Sequence, residues 1–355
     1  MTLNLKNTVG FRIFSHTLLF FLLVFLCFVN PFANANELTQ VNYKRGLKVG
    51  VGDRLLWYNN GKKQSTVQTL NYMDIYSDML AIWLPRDWQK SWIDRKELDL
   101  MTQQDITPVF IHYFYGDIIS KERILASQED WLASIRRMAK LVKSDTPVLI
   151  VLEPEFNHDA PEGETSVLLW EGFSDHIEKG LRIIREEAPN ALVAICPGDF
   201  SPARNLEISL GKIAPKLDFL AFQEMRATTD PDRSFFAYKD VGNAAVSYSK
   251  YLQDTFNKPI LLAYIALSSY GGWEKKQAKM LYSVINDEQK LLNNGVFGAL
   301  YFQLLDDPLH EGYFGKAEKN FGLIDLNGEP KPAAYVYKDW ANKKKRVVPS
   351  ASAPE

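Results

Sequence analysis

Short apolar runs alternate along this chain with longer stretches in which apolar residues return every three or four positions. The runs are Leu47 to Val51, Met79 to Leu84, Thr107 to Phe114 and Val148 to Leu152, then Leu192 to Cys196, Phe219 to Gln223, Ile260 to Ile265 and Gly298 to Leu304. Their length and aliphatic content suit strands buried on both faces. Between them, Asp130 to Val142 and Phe173 to Glu187 carry helical periodicity, the second stopping at Pro189-Asn190. Trp273 to Leu292 is a third helical stretch, closing at Asn293-Asn294-Gly295. Eight strands separated by helices predict an α/β fold, a single (β/α)8 TIM barrel. An open doubly wound sheet is the competing architecture, but no Gly-rich phosphate turn follows the first strand. No solenoid-type repeat is visible.

The two ends depart from this pattern. Lys6 and Arg12 precede an apolar stretch from Leu18 to Val29, followed by Pro31-Phe32-Ala33-Asn34-Ala35. A basic start, a short apolar core and an Ala-x-Ala site predict a secretory signal peptide over residues 1–35. The stretch is short against the ~20 residues a membrane span needs, so no stable span is expected after cleavage. The barrel is expected over 36–341 and a flexible basic, then Pro/Ser/Ala tail over 342–355. The mature chain is thus expected to be secreted or periplasmic. Cys27 lacks the small preceding residues of a lipoprotein site, and cleavage leaves Cys196 alone, so no internal disulfide can form. Cys196 sits in an apolar stretch and reads as a core residue. With a formal net charge of −2 and no basic stripe, nucleic acid is a poor partner. Oligomeric state is left open.

In a (β/α)8 barrel, chemistry gathers at the C-terminal ends of the strands. Here those ends carry Trp57, Tyr58, Trp83, His112, Tyr113 and Tyr115, then Glu153, Glu155, Asn157 and His158, then Asp199 and Phe200. Gln223, Glu224, Tyr264, Tyr270, Trp273, Tyr301, Gln303, Asp306 and Asp307 follow on the later strands. Aromatics interleaved with acids and amides suit a carbohydrate partner, rings stacking on aromatic faces and hydroxyls bonding the polar groups. Alternation along strand four puts Glu153 and Glu155 on one face. Crowding of two carboxylates would then keep one protonated, which suits a general acid. The histidines, His112, His158, His176 and His310 among them, show no metal-ligand spacing, and neither a metal nor another cofactor is expected.

Several local motifs carry a resemblance. Pro154-Glu155-Phe156-Asn157-His158 resembles the fourth-strand His-Glu-Met-Asn-Gly of (β/α)8 glycoside hydrolases, especially the mannanase-type family twenty-six. Leu217 to Gln223 is similar to the family's sixth strand, Lys258 to Ala263 to its seventh-strand entry, and Phe321 to Ala333 to the end of many such barrels. The resemblance covers nearly all of the mature chain. It implies a glycosidase acting on a polysaccharide or oligosaccharide, with Glu155 as general acid/base and Asn157 beside it. The chain also departs from the family. The nucleophile, a Glu in a pattern like Lys-Pro-Ile-Leu-Ile-Ala-Glu, is matched by Tyr264, and the sixth-strand tyrosine that supports it is matched by Met225.

A retaining glycosidase needs two carboxyl groups about 5–5.5 Å apart and an inverting one about 6.5–9.5 Å. With Glu155 as acid, the second group could be Glu153, Glu224, Asp306 or Asp307. Glu224 on strand six is favoured as base or nucleophile, in a single displacement, and Glu153 reads as a buried support. Glu153-Pro154-Glu155 is also similar to the acidic-x-Glu pair of barrel enzymes that use the substrate's acetamido group, although Asp is usual in the first place and their longer motif is absent. Substrate contacts are expected from Trp57, Trp83, His112, Tyr113, Asn157, Gln223, Tyr264, Trp273, Tyr301, Gln303, Asp306 and Asp307. Tyr264 favours the alternative of a lapsed hydrolase that binds carbohydrate in polysaccharide assembly or capture.

Overall fold

Eight parallel strands form one sheet that curves almost into closure in the computed structural model. It describes residues 38–42, 44–59, 62–199, 206–229 and 239–345, with backbone alone at 57–59, 62 and 63. The first barrel strand is β1 (Lys48–Gly52), followed by a hairpin outside the barrel, β2 (Leu56–Asn59) and β3 (Lys62–Ser65). The remaining barrel strands are β4 (Met79–Pro85), β5 (Thr107–Tyr113), β6 (Val148–Leu152), β7 (Ala191–Ile195), β8 (Leu220–Arg226), β9 (Ile260–Leu267) and β10 (Val296–Tyr301). Their spatial order is β7-β6-β5-β4-β1-β10-β9-β8, and a parallel bridge between Gly198 and Gln223 joins the two ends. All eight predicted strands are present, and the (β/α)8 barrel expected from the pattern is the architecture observed.

The helices are α1 (Thr66–Tyr72), α2 (Arg95–Gln103), α3 (Lys121–Val142), α4 (Gly172–Glu187), α5 (Glu207–Leu210), α6 (Val241–Phe256), α7 (Glu274–Asn286), α8 (Glu288–Asn293) and α9 (Pro332–Asn342). Side chains start several of them. Ser65 accepts from the Gln68 amide, Asp94 from Lys96 and Glu97, and Ser120 from Arg123, each satisfying an otherwise orphaned helix-end N–H. Helix α3 is longer than its periodicity predicts and is broken at Ser127, whose φ −125° and ψ 20° are not helical. The stretch predicted as one helix from Trp273 to Leu292 divides at Asp287. Trp131 of α3 packs where a side chain on Gly180 of α4 would stand, its ring 2.3 Å from the place of that Cβ. Only glycine allows that approach.

The described residues from Thr39 onward make one compact unit. The expected leader, residues 1–35, lies outside the described residues, as does the chain from residue 346. Among the described residues no helix is long and apolar enough to cross a membrane.

Candidate functional site

Strand β6 ends at Leu152, before the acids. Glu153 (φ 42°) and Glu155 (φ 60°) both adopt the left-handed conformation, and the His158 amide closes a turn onto the Glu155 carbonyl at 3.1 Å. The expectation that the two carboxylates share a face is therefore overturned, because strand alternation stops where the backbone leaves the β region. Glu153, 1% exposed, enters the layer between barrel and α3. Its Oε1 accepts from His112 Nδ1 at 3.1 Å and Trp131 Nε1 at 2.6 Å, and its Oε2 from the Tyr115 amide at 3.1 Å. A carboxylate only accepts, so His112 carries its proton on Nδ1. His112 Nε2 lies 2.9 Å from Ser134 Oγ, which in turn accepts from Trp88 Nε1 at 3.0 Å. A directed chain of donors thus ends on Glu153. His112, expected to contact substrate, is wholly buried in this chain and cannot reach a sugar.

Glu155 points to the mouth. Its side chain is 16% exposed, and its two oxygens have different partners. Oε1 accepts from the Tyr264 hydroxyl at 2.9 Å and Oε2 lies 3.2 Å from His158 Nε2. Tyr264 reaches it from β9, the seventh barrel strand. Burial, then the Glu155 charge, pushes the Tyr264 phenol well above its ordinary range, so it acts as an O–H donor. Burial alone would lower the His158 pKa. The Glu155 hydrogen bond and the charges of Glu155, Asp117 and Asp159 outweigh it and raise the value. Trp83 of β4 stands edge-on to Tyr264, Phe302 and Tyr113, at centroid distances of 4.9, 5.3 and 5.9 Å, and forms an aromatic wall beside the carboxyl. Its Nε1 is buried without a hydrogen-bond partner.

Three residues at this end escaped the sequence reading. Phe302 directly follows β10. Asp117 lies four residues beyond β5, takes the Tyr113 hydroxyl, and brings a carboxylate oxygen within 4.8 Å of both Glu155 and His158. Those three groups could together ligate a cation, which linear spacing did not reveal. The signal for Asp117 was an acid just after Gly116, whose φ of 66° turns the chain back over the barrel. Asp53, one residue past β1, accepts from the amides of Arg54 at 2.6 Å and Leu305 at 3.1 Å, and burial raises its pKa to about 7. The strand-end rule applied to Gly52-Asp53 would have found it.

Other predicted site residues lie elsewhere. Glu224, favoured as the partner of Glu155, falls on the same face of β8 as Phe222, whose ring meets Tyr248 of α6 at 5.6 Å. It is fully buried and paired with Arg226, which also holds Asp199 at 2.8 Å. An acid tied to a guanidinium behind the barrel wall is not placed opposite Glu155. Asp306 is buried against Lys331 Nζ at 2.6 Å and the Gly322 amide at 2.8 Å, away from any substrate. Burial pushes its carboxyl up and the Lys331 ammonium down, although each favours the other's charge. Asp307 binds Arg54 at 2.7 Å and the Leu309 amide at 2.9 Å. Tyr301, expected at the mouth, is fully buried and faces outward, giving its hydroxyl to the Phe321 carbonyl at 2.9 Å and its ring to Tyr337 of α9.

Asn157 is also withdrawn from substrate. It is wholly buried and clamps Gly198, donating to the carbonyl at 3.0 Å and accepting from the amide at 2.6 Å. Gln223 is 3% exposed and accepts from the Met225 amide at 2.7 Å. Trp273 is 8% exposed with the Lys276 ammonium 3.7 Å from its ring centre. Gln303 is partly exposed, with Oε1 buried and unpartnered. Cys196 is buried and free, and its carbonyl accepts from the Glu155 amide at 2.7 Å. The Trp57 side chain and Phe200 lie outside the described residues. Tyr113, Tyr264, Trp83 and Glu155 are the predicted residues that the fold brings together.

No protein-family model matches the chain, and no curated protein sequence does. Solved structures do. The GH53 catalytic domain of Ignisphaera aggregans is similar with a TM-score of 0.56 and 14% identity, over 83% of this chain and 96% of that one. An exo-β-1,4-mannosidase from Opitutaceae bacterium strain TAV5 gives 0.60 and 14%, over 87% and 64%. The β-D-glucuronidase of Dictyoglomus thermophilum gives 0.61 and 13%, over 84% of this chain and 50% of that one, so the chain spans half of that enzyme's length. At these identities the likeness establishes architecture: the chain has the (β/α)8 barrel fold on which these glycoside hydrolases are built.

Proposed function

We propose that the chain is an exported glycosidase-like barrel that cleaves O-glycosidic bonds in a polysaccharide or oligosaccharide, with Glu155 as general acid. The observation that carries this reading is the Glu155 carboxyl itself, at the strand ends, partly exposed, and held between Tyr264 and His158. In this reading Glu155, protonated through His158, gives that proton to the glycosidic oxygen, and the carboxylate left behind is stabilised by the Tyr264 hydroxyl. His158 Nε2, 3.2 Å from Glu155 and 4.0 Å from Asp117, is placed to return the proton. Asp117 is the second carboxylate beside Glu155. Its separation lies nearer the retaining range of about 5–5.5 Å than the inverting range of about 6.5–9.5 Å, which counts against a single displacement through this pair. The names of the structural neighbours, among them a xylanase and a mannosidase, support a glycan substrate. Export rests on the basic, apolar and Ala-x-Ala pattern of residues 1–35.

The test is release of reducing ends from a panel of polysaccharides. Wild-type protein is expected to release them and Glu155→Gln to lose at least ~100-fold, with an unchanged melting temperature. Absence of release from every polymer would sink the enzyme reading. Proton NMR of the first anomer formed then separates inversion from retention. A second reading, a non-catalytic carbohydrate-binding barrel, is favoured by one observation: Tyr264 meets Glu155 where the resemblance expects a nucleophile. On that reading, wild type and Glu155→Gln bind a glycan equally and neither releases ends.

A further inference from the structure

We infer that the cleft beside Glu155 takes an acidic sugar, a uronate unit of an anionic glycan, and that Arg86 recognises its carboxylate. This rests on the glycosidase reading above and names the substrate class. The cleft has a volume of about 530 Å³ and is lined by Arg86, Tyr115, Asp117, Ile118, Arg123 and Ser127, together with the small Ala126. That volume suits a small-molecule site, whose usual range is about 300–1,000 Å³. It adjoins the reacting centre through Asp117, whose carboxylate lies within 4.8 Å of Glu155.

The charged lining is two guanidinium groups against one carboxylate. Asp117 is partly offset on its barrel side by the Tyr113 hydroxyl and by His158. Arg123 is committed, its Nε and Nη2 forking onto Glu164 at 2.9 and 3.1 Å, and so builds the wall. Arg86 differs. Its contact with Asp130 is 3.5 Å, the outer limit of a hydrogen bond, and the two side chains are 60% and 73% exposed. Such a pair is screened and weak. The Arg86 guanidinium is carried by the Phe114 ring instead, 5.0 Å from its centre. The ring contact anchors the group, and its weak, exposed pairing with Asp130 leaves N–H donors for a ligand. A planar fork of donors matches a carboxylate, which can accept two parallel bonds. A neutral sugar offers no such partner.

The probes are hexamers of β-1,4-glucuronate, β-1,4-mannuronate and α-1,4-galacturonate, each paired with its carboxyl-reduced, neutral counterpart. Binding is read by titration calorimetry on the full chain, in Glu155→Gln to prevent turnover, with and without Arg86→Met. At least one uronate hexamer is expected to bind tenfold or more tightly than its neutral counterpart, and Arg86→Met to remove that preference with an unchanged melting temperature. Equal binding of charged and neutral hexamers, no binding of any uronate, or a preference that survives Arg86→Met each overturns the inference. Hydrolysis of a neutral glycan without uronate preference overturns it and leaves the glycosidase reading standing. Arg86-dependent uronate binding with no hydrolysis by wild type supports it and removes the enzyme.

Discussion

At the scale of single residues, two glutamates two positions apart have become different objects. Glu153 is buried and receives three N–H donors, whereas Glu155 keeps contact with solvent and meets a phenol and an imidazole. Burying a carboxylate is tolerated when its oxygens are fully bonded, and removing the charge leaves donors facing the wrong group. Glu153→Gln would turn an NH2 toward one of those donors. It is expected to cost about 2–4 kcal/mol of stability, read from the urea midpoint at constant slope. The residue types were legible at this scale, and their directions were not. Asn157, His112 and Tyr301 each lie at or near a strand end, and each gives its polar group to another chain segment instead of the mouth. Nothing in a local pattern distinguishes an amide that bonds a sugar from one that bonds Gly198.

At the scale of elements, the barrel's seam decides what Asn157 does. Strands β7 and β8 are neighbours without a continuous ladder, and the Gly198–Gln223 bridge stands where one would be. By pinning Gly198 from β6's end, Asn157 fastens that bridge across three strands. Asn157→Ala strands a buried amide and a buried carbonyl, so a loss of roughly 2 kcal/mol is expected, with faster hydrogen exchange at the Gly198 amide than at amides within β6. Unchanged exchange at Gly198 would remove this role. Strands were read correctly because each is a compact, doubly buried apolar run. The hairpin β2–β3 was missed because Lys62-Lys63-Gln64-Ser65 has no apolar face to announce a strand. The break at Ser127 left no trace either, since a serine is admissible in a helix and only its φ and ψ reveal the bend.

At the scale of the whole molecule, pH dependence tests the burial of Asp53. Its folded pKa of about 7 lies above the ordinary carboxylate value. Between about pH 4 and 7 the folded chain therefore holds a proton that the unfolded chain has released, and stability falls as pH rises through that window. His176 works in the opposite sense. Burial lowers its pKa to about 3, so its contribution is present above about pH 6.5 and is lost as pH falls toward 3. Asp53→Asn removes the first effect and also turns an NH2 toward one of the two amides, a cost that does not depend on pH. Its melting temperature relative to wild type is therefore expected to stand about 2 °C or more higher at pH 8 than at pH 5, in a pH series of scanning calorimetry. A difference independent of pH would exclude Asp53 as the cause. The overall fold was legible because eight strand and helix alternations admit few closed arrangements. The site was only partly so, because Glu155, His158 and Asp117 sit in loops whose geometry is set by contacts far apart in sequence.

The left-handed conformation at Glu153 and Glu155 bears on how this protein would evolve under heat. Glycine and asparagine adopt that conformation at little or no cost, while other residues carry roughly 1–2 kcal/mol each. A library selected for thermal endurance alone should therefore drift toward Gly or Asn at position 155, where the side chain is least enclosed. Position 153 should resist the drift, because its carboxylate answers three buried donors. Selection for work on a glycan would hold the acid at 155 against that pull. Comparing the two populations would show, at a single backbone angle, what activity and endurance each demand.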